Sequence, residues 1–164
     1  MPDEGLLADI PDYGIRLDKN GLFWHQGQPV LNDKVQLIFA QHLTRLDDGA
    51  YALVLGPDRC VIDLEDAPYV VRRVQVVCDD DGAPARVGLT LSDATEEDLD
   101  PATLEISVES VLYCRVKQGE HRARFDRAPY VALAEHVVEL DRGFGLKLRG
   151  EVYEVKAAGA TRAP

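Results

Sequence analysis

Apolar and polar residues along this chain fall into short segments, some alternating and some at helical spacing, divided by glycine-bearing turns. Residues 13–17 alternate as a strand does, and Leu22-Phe23-Trp24-His25 reads as the returning strand. Lys19-Asn20-Gly21 joins them, with Asn20 and Gly21 expected to supply the positive-φ positions of a tight hairpin. Gln26-Gly27 is a second turn before the short extended run 28–31. The period then changes. Val35, Ile38, Phe39, His42, Leu43 and Leu46 form a stripe at helical spacing. Asn32 or Asp33 caps this helix, Gln36 stands at the capping-box position after Asp33, and Asp47-Asp48-Gly49 ends it. Residues 51–55 and 60–64 read as strands about the turn Gly56-Pro57-Asp58.

At residues 63–71 a strand runs into the carboxylates Asp63, Glu65 and Asp66, turns through Pro68, and leaves as another strand. Residues 69–77 are the longest β-branched run and are expected to be a central strand. After a turn at 79–82 comes a strand over 85–91, then an exposed acidic loop over 92–101. That loop lacks the ligand register of a calcium site. Strands follow at 104–108 and 111–116, with Gln118-Gly119 turning into 121–125. Asp126 caps a second helix that tolerates Pro129 in its first turn and buries Tyr130, Leu133, Ala134, Val137 and Val138. Gly143 closes the connection to strands at 144–148 and 152–155, and residues 157–164 form a frayed tail.

The two series match. Gln26-Gly27 and Gln118-Gly119 lie 92 residues apart, while Asp33 and Asp126, like Tyr51 and Phe144, lie 93 apart. A rival match of Ala67-Pro68-Tyr69-Val70 with Ala128-Pro129-Tyr130-Val131 places a strand on a helix, so the longer register is preferred. The expected fold is α+β: two related hairpin–helix–hairpin halves packed together, with mainly antiparallel sheets. The N-terminal half covers 1–91, an acidic loop 92–102, and a shortened repeat 103–164.

Gly21-Leu22-Phe23-Trp24-His25-Gln26-Gly27-Gln28-Pro29-Val30, the helix after it, and Glu65-Asp66-Ala67-Pro68-Tyr69 resemble a bacterial family known as domain of unknown function 1285. The resemblance covers about residues 13–156 and is closest in the first half. It implies a duplicated α+β architecture whose second half is similar to a pleckstrin-homology-like roll. It implies no activity, cofactor or catalytic residue, and suggests signalling through a protein, peptide or nucleic-acid partner bound between the halves.

Charge narrows the partner. The formal net charge is −11, which argues against general binding to nucleic acid. Residues 1–110 carry 8 basic against 22 acidic side chains, whereas 111–164 carry 10 against 7. No apolar run approaches the ~20 residues of a membrane span, and Met1-Pro2-Asp3-Glu4-Gly5 lacks the character of a signal peptide. Cys60, Cys78 and Cys114 are expected to be reduced core thiols of a cytoplasmic protein.

Three groups of residues invite a functional reading. A two-residue turn at Gln118-Gly119 sets Arg115 opposite Arg122, Tyr113 opposite Arg124 and Lys117 opposite Glu120. Tyr113, Arg115, Lys117, Arg122 and Arg124 then share a face, and Leu112, Cys114, Val116, Ala123 and Phe125 share the other. Facing arginines need an anion, supplied either by the acidic half or by an external ligand. The carboxylates Asp63, Glu65 and Asp66 serve turn architecture or, alternatively, acid chemistry or metal binding. Trp24 and His25 either pack on the core or line a pocket. No nucleophile elbow, glycine-rich phosphate loop or close-spaced metal motif is present, and Cys60 is a weak nucleophile candidate.

These features point to a non-catalytic interaction or regulatory protein without cofactor or metal. Its peptide, protein or anionic ligand is expected at the seam of the halves, at Trp24, His25, Asp66, Tyr69, Tyr113, Arg115, Lys117, Arg122 and Arg124. The competing expectation is a small hydrolase or metal-dependent enzyme built on Asp63, Glu65, Asp66 and His25.

Overall fold

The structure, a computed structural model, describes residues 10–158. The acidic N-terminal pentapeptide and residues 159–164 of the expected tail lie outside them. The chain forms two compact units, Met1–Pro68 and Tyr69–Pro164. The fold class is α+β, with two helices and mixed sheets among the described residues. No helix is long and apolar enough to cross a membrane.

In the first unit, β1 (Asp12–Leu17) and β2 (Phe23–His25) form the expected hairpin, extended by β3 (Gln28–Pro29). Its first turn is wider than the Asn20-Gly21 reading requires. Asp18 N–H donates to the Leu22 carbonyl, and of the pair only Gly21 has positive φ, +81°. Helix α1 (Asp33–Gln41) is capped by Asn32, whose side chain accepts from the N–H groups of Lys34 and Val35. Gln36 makes no capping box. Its amide oxygen instead accepts from Phe23 N–H, and its amide nitrogen donates to the carbonyls of Phe23 and Val30.

The helix stops at Gln41, short of the expected end. Leu43–Arg45 is β4, paired antiparallel with β5 (Tyr51–Leu55), and Gly49 at φ +90° serves the hairpin between them. β6 (Asp58–Leu64) returns beside β5 and pairs parallel with β1, giving the order β3-β2-β1-β6-β5-β4. One face of that sheet buries Ile15, Leu17, Phe23, Leu53 and Ile62 in a common core with Phe39 of α1 packed against it. Phe23 and Phe39 meet edge to face at 5.3 Å.

In the second unit, β7 (Tyr69–Cys78) pairs with β8 (Pro84–Leu91), and β7 is interior to its sheet as expected. The expected acidic loop contains a strand. β9 (Glu96–Asp98) folds back on β8, Asp93 is 4% exposed, and Leu99 is buried. A 3₁₀ turn, Pro101–Thr103, leads to β10 (Glu105–Ile106), much shorter than the expected strand, with Val108 fully exposed beyond it. β11 (Leu112–Val116) and β12 (His121–Phe125) form the predicted hairpin, and β12 runs parallel to β7.

Helix α2 (Arg127–Ala134) follows, but the Asp126 side chain does not cap it; that carboxylate bonds Arg72 at 2.9 Å. Val137 and Val138 lie in β13 (Val137–Glu139), not on the helix. β13 joins β14 (Phe144–Leu148) and β15 (Glu151–Glu154) in a three-stranded meander. Ala157, expected in the frayed tail, pairs with Ile106 as part of β16 (Lys156–Ala157). The larger sheet has the order β16-β10-β11-β12-β7-β8-β9.

Candidate functional site

The β11–β12 hairpin carries the basic face in the register that its turn dictates. Tyr113 pairs with Arg124, and Arg115 pairs with Arg122. Gln118 and Gly119 both have positive φ, +63° and +80°, as a primed two-residue turn requires, and Lys117 has φ +57°. Leu112, Cys114, Val116, Ala123 and Phe125 are all buried on the opposite face. The alternation is that of a half-buried hairpin.

On the polar face the Arg122 guanidinium lies 3.7 Å above the Tyr113 ring, the diagonal neighbour across the two strands. That roof leaves Tyr113 buried although it points away from the core. Arg122 also has Glu105 at 4.0 Å, a half-buried pair at the limit of salt-bridge distance that contributes little. Arg115 is exposed, and its backbone N–H donates to Thr103 Oγ1 at 3.0 Å. Among the described residues no carboxylate lies within salt-bridge distance of its guanidinium. Arg124 is half-buried and opposite Val70 of β7.

Lys117 belongs to a different constellation. Its ammonium donates to Asp93 Oδ2 at 2.7 Å and to Thr95 Oγ1 at 2.8 Å, and its backbone N–H meets both oxygens of Glu97. It also sits 5.2 Å from the Tyr69 ring, which makes an edge contact with His121. Burial pushes the Asp93 carboxyl up, but the bonds from Lys117 and Thr95 outweigh it and hold the group below the usual carboxylate range. Lys117 and Tyr69 are therefore brought together at the hairpin tip, with the lysine charge matched internally.

Trp24, His25 and Asp66 belong to the first unit. The Trp24 indole N–H donates to Asp18 Oδ2 at 2.8 Å, and Arg16 stacks over the ring at 5.0 Å. Asp18 is 8% exposed. Burial raises its carboxyl, but the Trp24 indole and the backbone N–H groups of Leu22 and Asn20 outweigh that, so it too lies below its ordinary value. Asp66 is half-buried in the bend after β6. The sequence reading passes over Arg16 and Asp18; the signals were the polar position between Ile15 and Leu17, and an Asp two residues before Asn20.

The carboxylates of the enzyme reading do not gather about His25. Asp63 pairs with Arg16 across the sheet, whereas His25 shares its row with Ile15 and Ile62. Adjacent rows point to opposite faces, so Asp63 and His25 diverge. Glu65 bonds Arg16 at 3.3 Å and the Lys19 N–H at 3.0 Å. Among the described residues no three His, Cys, Asp or Glu side chains converge as a metal site would need. Cys60 and Cys114 are buried and their thiols are raised, chiefly by burial, Cys114 to about 12; Cys78 is exposed, contrary to the core assignment.

No protein-family model matches the chain, and no curated protein matches it. Among solved structures it is similar to a DUF1285 family protein from Silicibacter pomeroyi DSS-3 at 19% identity. That likeness covers 90% of this chain and 82% of that one, with a TM-score of 0.72. A DUF1285 family protein from Shewanella baltica OS155 is similar at 18% identity, over 74% of this chain and 91% of that one, with a TM-score of 0.57. The chain has the fold of these proteins, which bear the name of the family its sequence resembles.

Proposed function

We propose that this is a non-catalytic cytoplasmic binding protein, acting in regulation or signalling, whose second unit receives a carboxylate-bearing peptide segment on the β11–β12 polar face. The observation that carries this reading is the rung Arg115–Arg122. Two arginines are paired directly opposite across the strands, a like-charge pairing that is unfavourable without an anion. Among the described residues, the carboxylate within salt-bridge distance of the pair is Glu105, at 4.0 Å from Arg122. Arginine's planar fork suits carboxylates because it offers two parallel N–H donors. Tyr113 beneath Arg122 fixes the orientation of that fork.

The recurrent order of elements supports a further part of the reading. Hairpin, helix and three-stranded meander occur as β1–β2, α1 and β4–β6, and again as β11–β12, α2 and β13–β15. We take the two series as products of one internal duplication, the second forming a pleckstrin-homology-like roll. A binding role for the copied hairpin accords with its retention of a polar face.

The test is fluorescence anisotropy with a labelled acidic peptide and wild-type protein, followed by Arg115→Glu/Arg122→Glu. The double variant should keep its far-ultraviolet circular dichroism and bind at least about tenfold more weakly, a loss of about 1.4 kcal/mol. Undiminished binding by a folded double variant sinks the proposal. Unfolding of the double variant would assign the rung to internal pairing instead.

A further inference from the structure

The second unit contains an apolar cavity of about 290 Å³ that the peptide reading does not use. Leu104, Leu112 and Leu133 line it and are 1%, 7% and 1% exposed, so its depth is formed by fixed core side chains. Phe144 and Ala134, both exposed, also line it and mark its rim. The volume is about twice the ~150 Å³ that accommodates a benzene ring, room for about a dozen non-hydrogen atoms. Apolar lining with a few polar groups at one end is the usual make-up of a small-molecule site.

The polar end is present. A second depression shares Ser110, Leu112 and Tyr130 with the cavity and adds Arg124, Arg127 and Glu109. The arginine-bearing depression and the apolar cavity are therefore neighbours that meet at Ser110, Leu112 and Tyr130. Asp126, the acidic neighbour of Arg127, is engaged by Arg72 at 2.9 Å, which leaves Glu109 as the carboxylate lining the depression. Arg127 is exposed at the first position of α2, and among the described residues no salt bridge engages it. A cation there is opposed by the positive end of the helix, so an anion is favoured for both reasons.

We propose that the cavity takes the tail of a medium-chain carboxylate, with the head group on Arg127. A neutral chain would fill the hydrocarbon space without neutralising Arg127. A short acid would meet Arg127 without filling the space. The amphipathic anion does both, and Arg115 and Arg122 take no part.

Calorimetric titration of the intact protein with sodium decanoate and with decan-1-ol tests this. Decanoate should bind at one saturable site, about tenfold more tightly than decanol, as a charge-assisted head-group contact allows. Ala134→Trp, at the exposed end of α2, should fill the rim and abolish binding; Ala134→Leu, a milder filling, should weaken it with the fold intact. Arg127→Glu should weaken decanoate about tenfold and leave decanol unchanged. The Arg115→Glu/Arg122→Glu variant should bind decanoate as wild type does, which separates this proposal from the peptide site. Absence of saturable decanoate binding, equal affinity for decanol, or decanoate binding indifferent to both Ala134 variants would each overturn it.

Discussion

Each unit buries one aspartate among the described residues, and the two are held by opposite kinds of donor. Asp18 lies within its own turn, where Asn20 N–H, Leu22 N–H and the Trp24 indole all donate to it at 2.8–2.9 Å. Those donors are neutral and no more than six residues away. Asp93 also bonds Thr95 nearby, but its strongest partner is the ammonium of Lys117, 24 residues on, at 2.7 Å. Asp18 therefore punctuates a hairpin, whereas Asp93 fastens one hairpin to another. Local neutral donors can be lost one at a time. A buried ion pair cannot lose a member without stranding the other charge.

Lys117→Met should therefore have the largest effect. It should cost the second unit about 3 kcal/mol, because Asp93 keeps its burial and loses its counter-charge. Urea unfolding with hydrogen exchange on β11 and β12 reads that loss, and adding Asp93→Leu should recover part of it. Asp18→Ala comes next, at about 2 kcal/mol from the first unit, since two backbone N–H groups and an indole lose their acceptor. Trp24→Phe removes a single donor and should cost about 1 kcal/mol or less. If it costs as much as Lys117→Met, the contrast between the units is wrong.

The smallest signal lies in the acid limb. Both carboxyls are held below their unfolded value, so their stabilisation is complete above about pH 4 and fades as pH falls through the folded values. Asp18→Asn should flatten the first unit's loss below about pH 4 and leave the second unit's unchanged, as amide-resolved hydrogen exchange at pH 5 and pH 3 would show.

The sequence exposed what local chemistry decides. Gln118-Gly119 sets the β11–β12 register because a two-residue turn permits one pairing, and the strands Tyr51–Leu55 and Phe144–Leu148 fall where alternation and glycine turns put them. The helix ends were hidden. Leu43 and Leu46 continue the stripe of α1, and Val137 and Val138 continue that of α2, so the period alone cannot separate helix from strand there. Pairing with β5 and β14 decides it, and those partners lie farther along the chain. The acidic run after Leu91 misled for a related reason: charge implied exposure, but Asp93 is buried against a lysine that no spacing rule connects to it. In the candidate site, Arg115, Arg122 and Tyr113 were legible, whereas the removal of Lys117 from their face depended on Asp93, Thr95 and Glu97.

The three cysteines divide two against one, and chemistry performed on the protein should notice. Cys60 and Cys114 are shielded and hold their protons tightly, while Cys78 at the end of β7 meets water. Brief treatment of the folded protein with iodoacetamide near neutral pH should add a single adduct, mapped to the peptide containing Cys78. A spectroscopic reporter attached there would need no prior cysteine replacement, and an oxidant would join two molecules through that position before it reached either of the others.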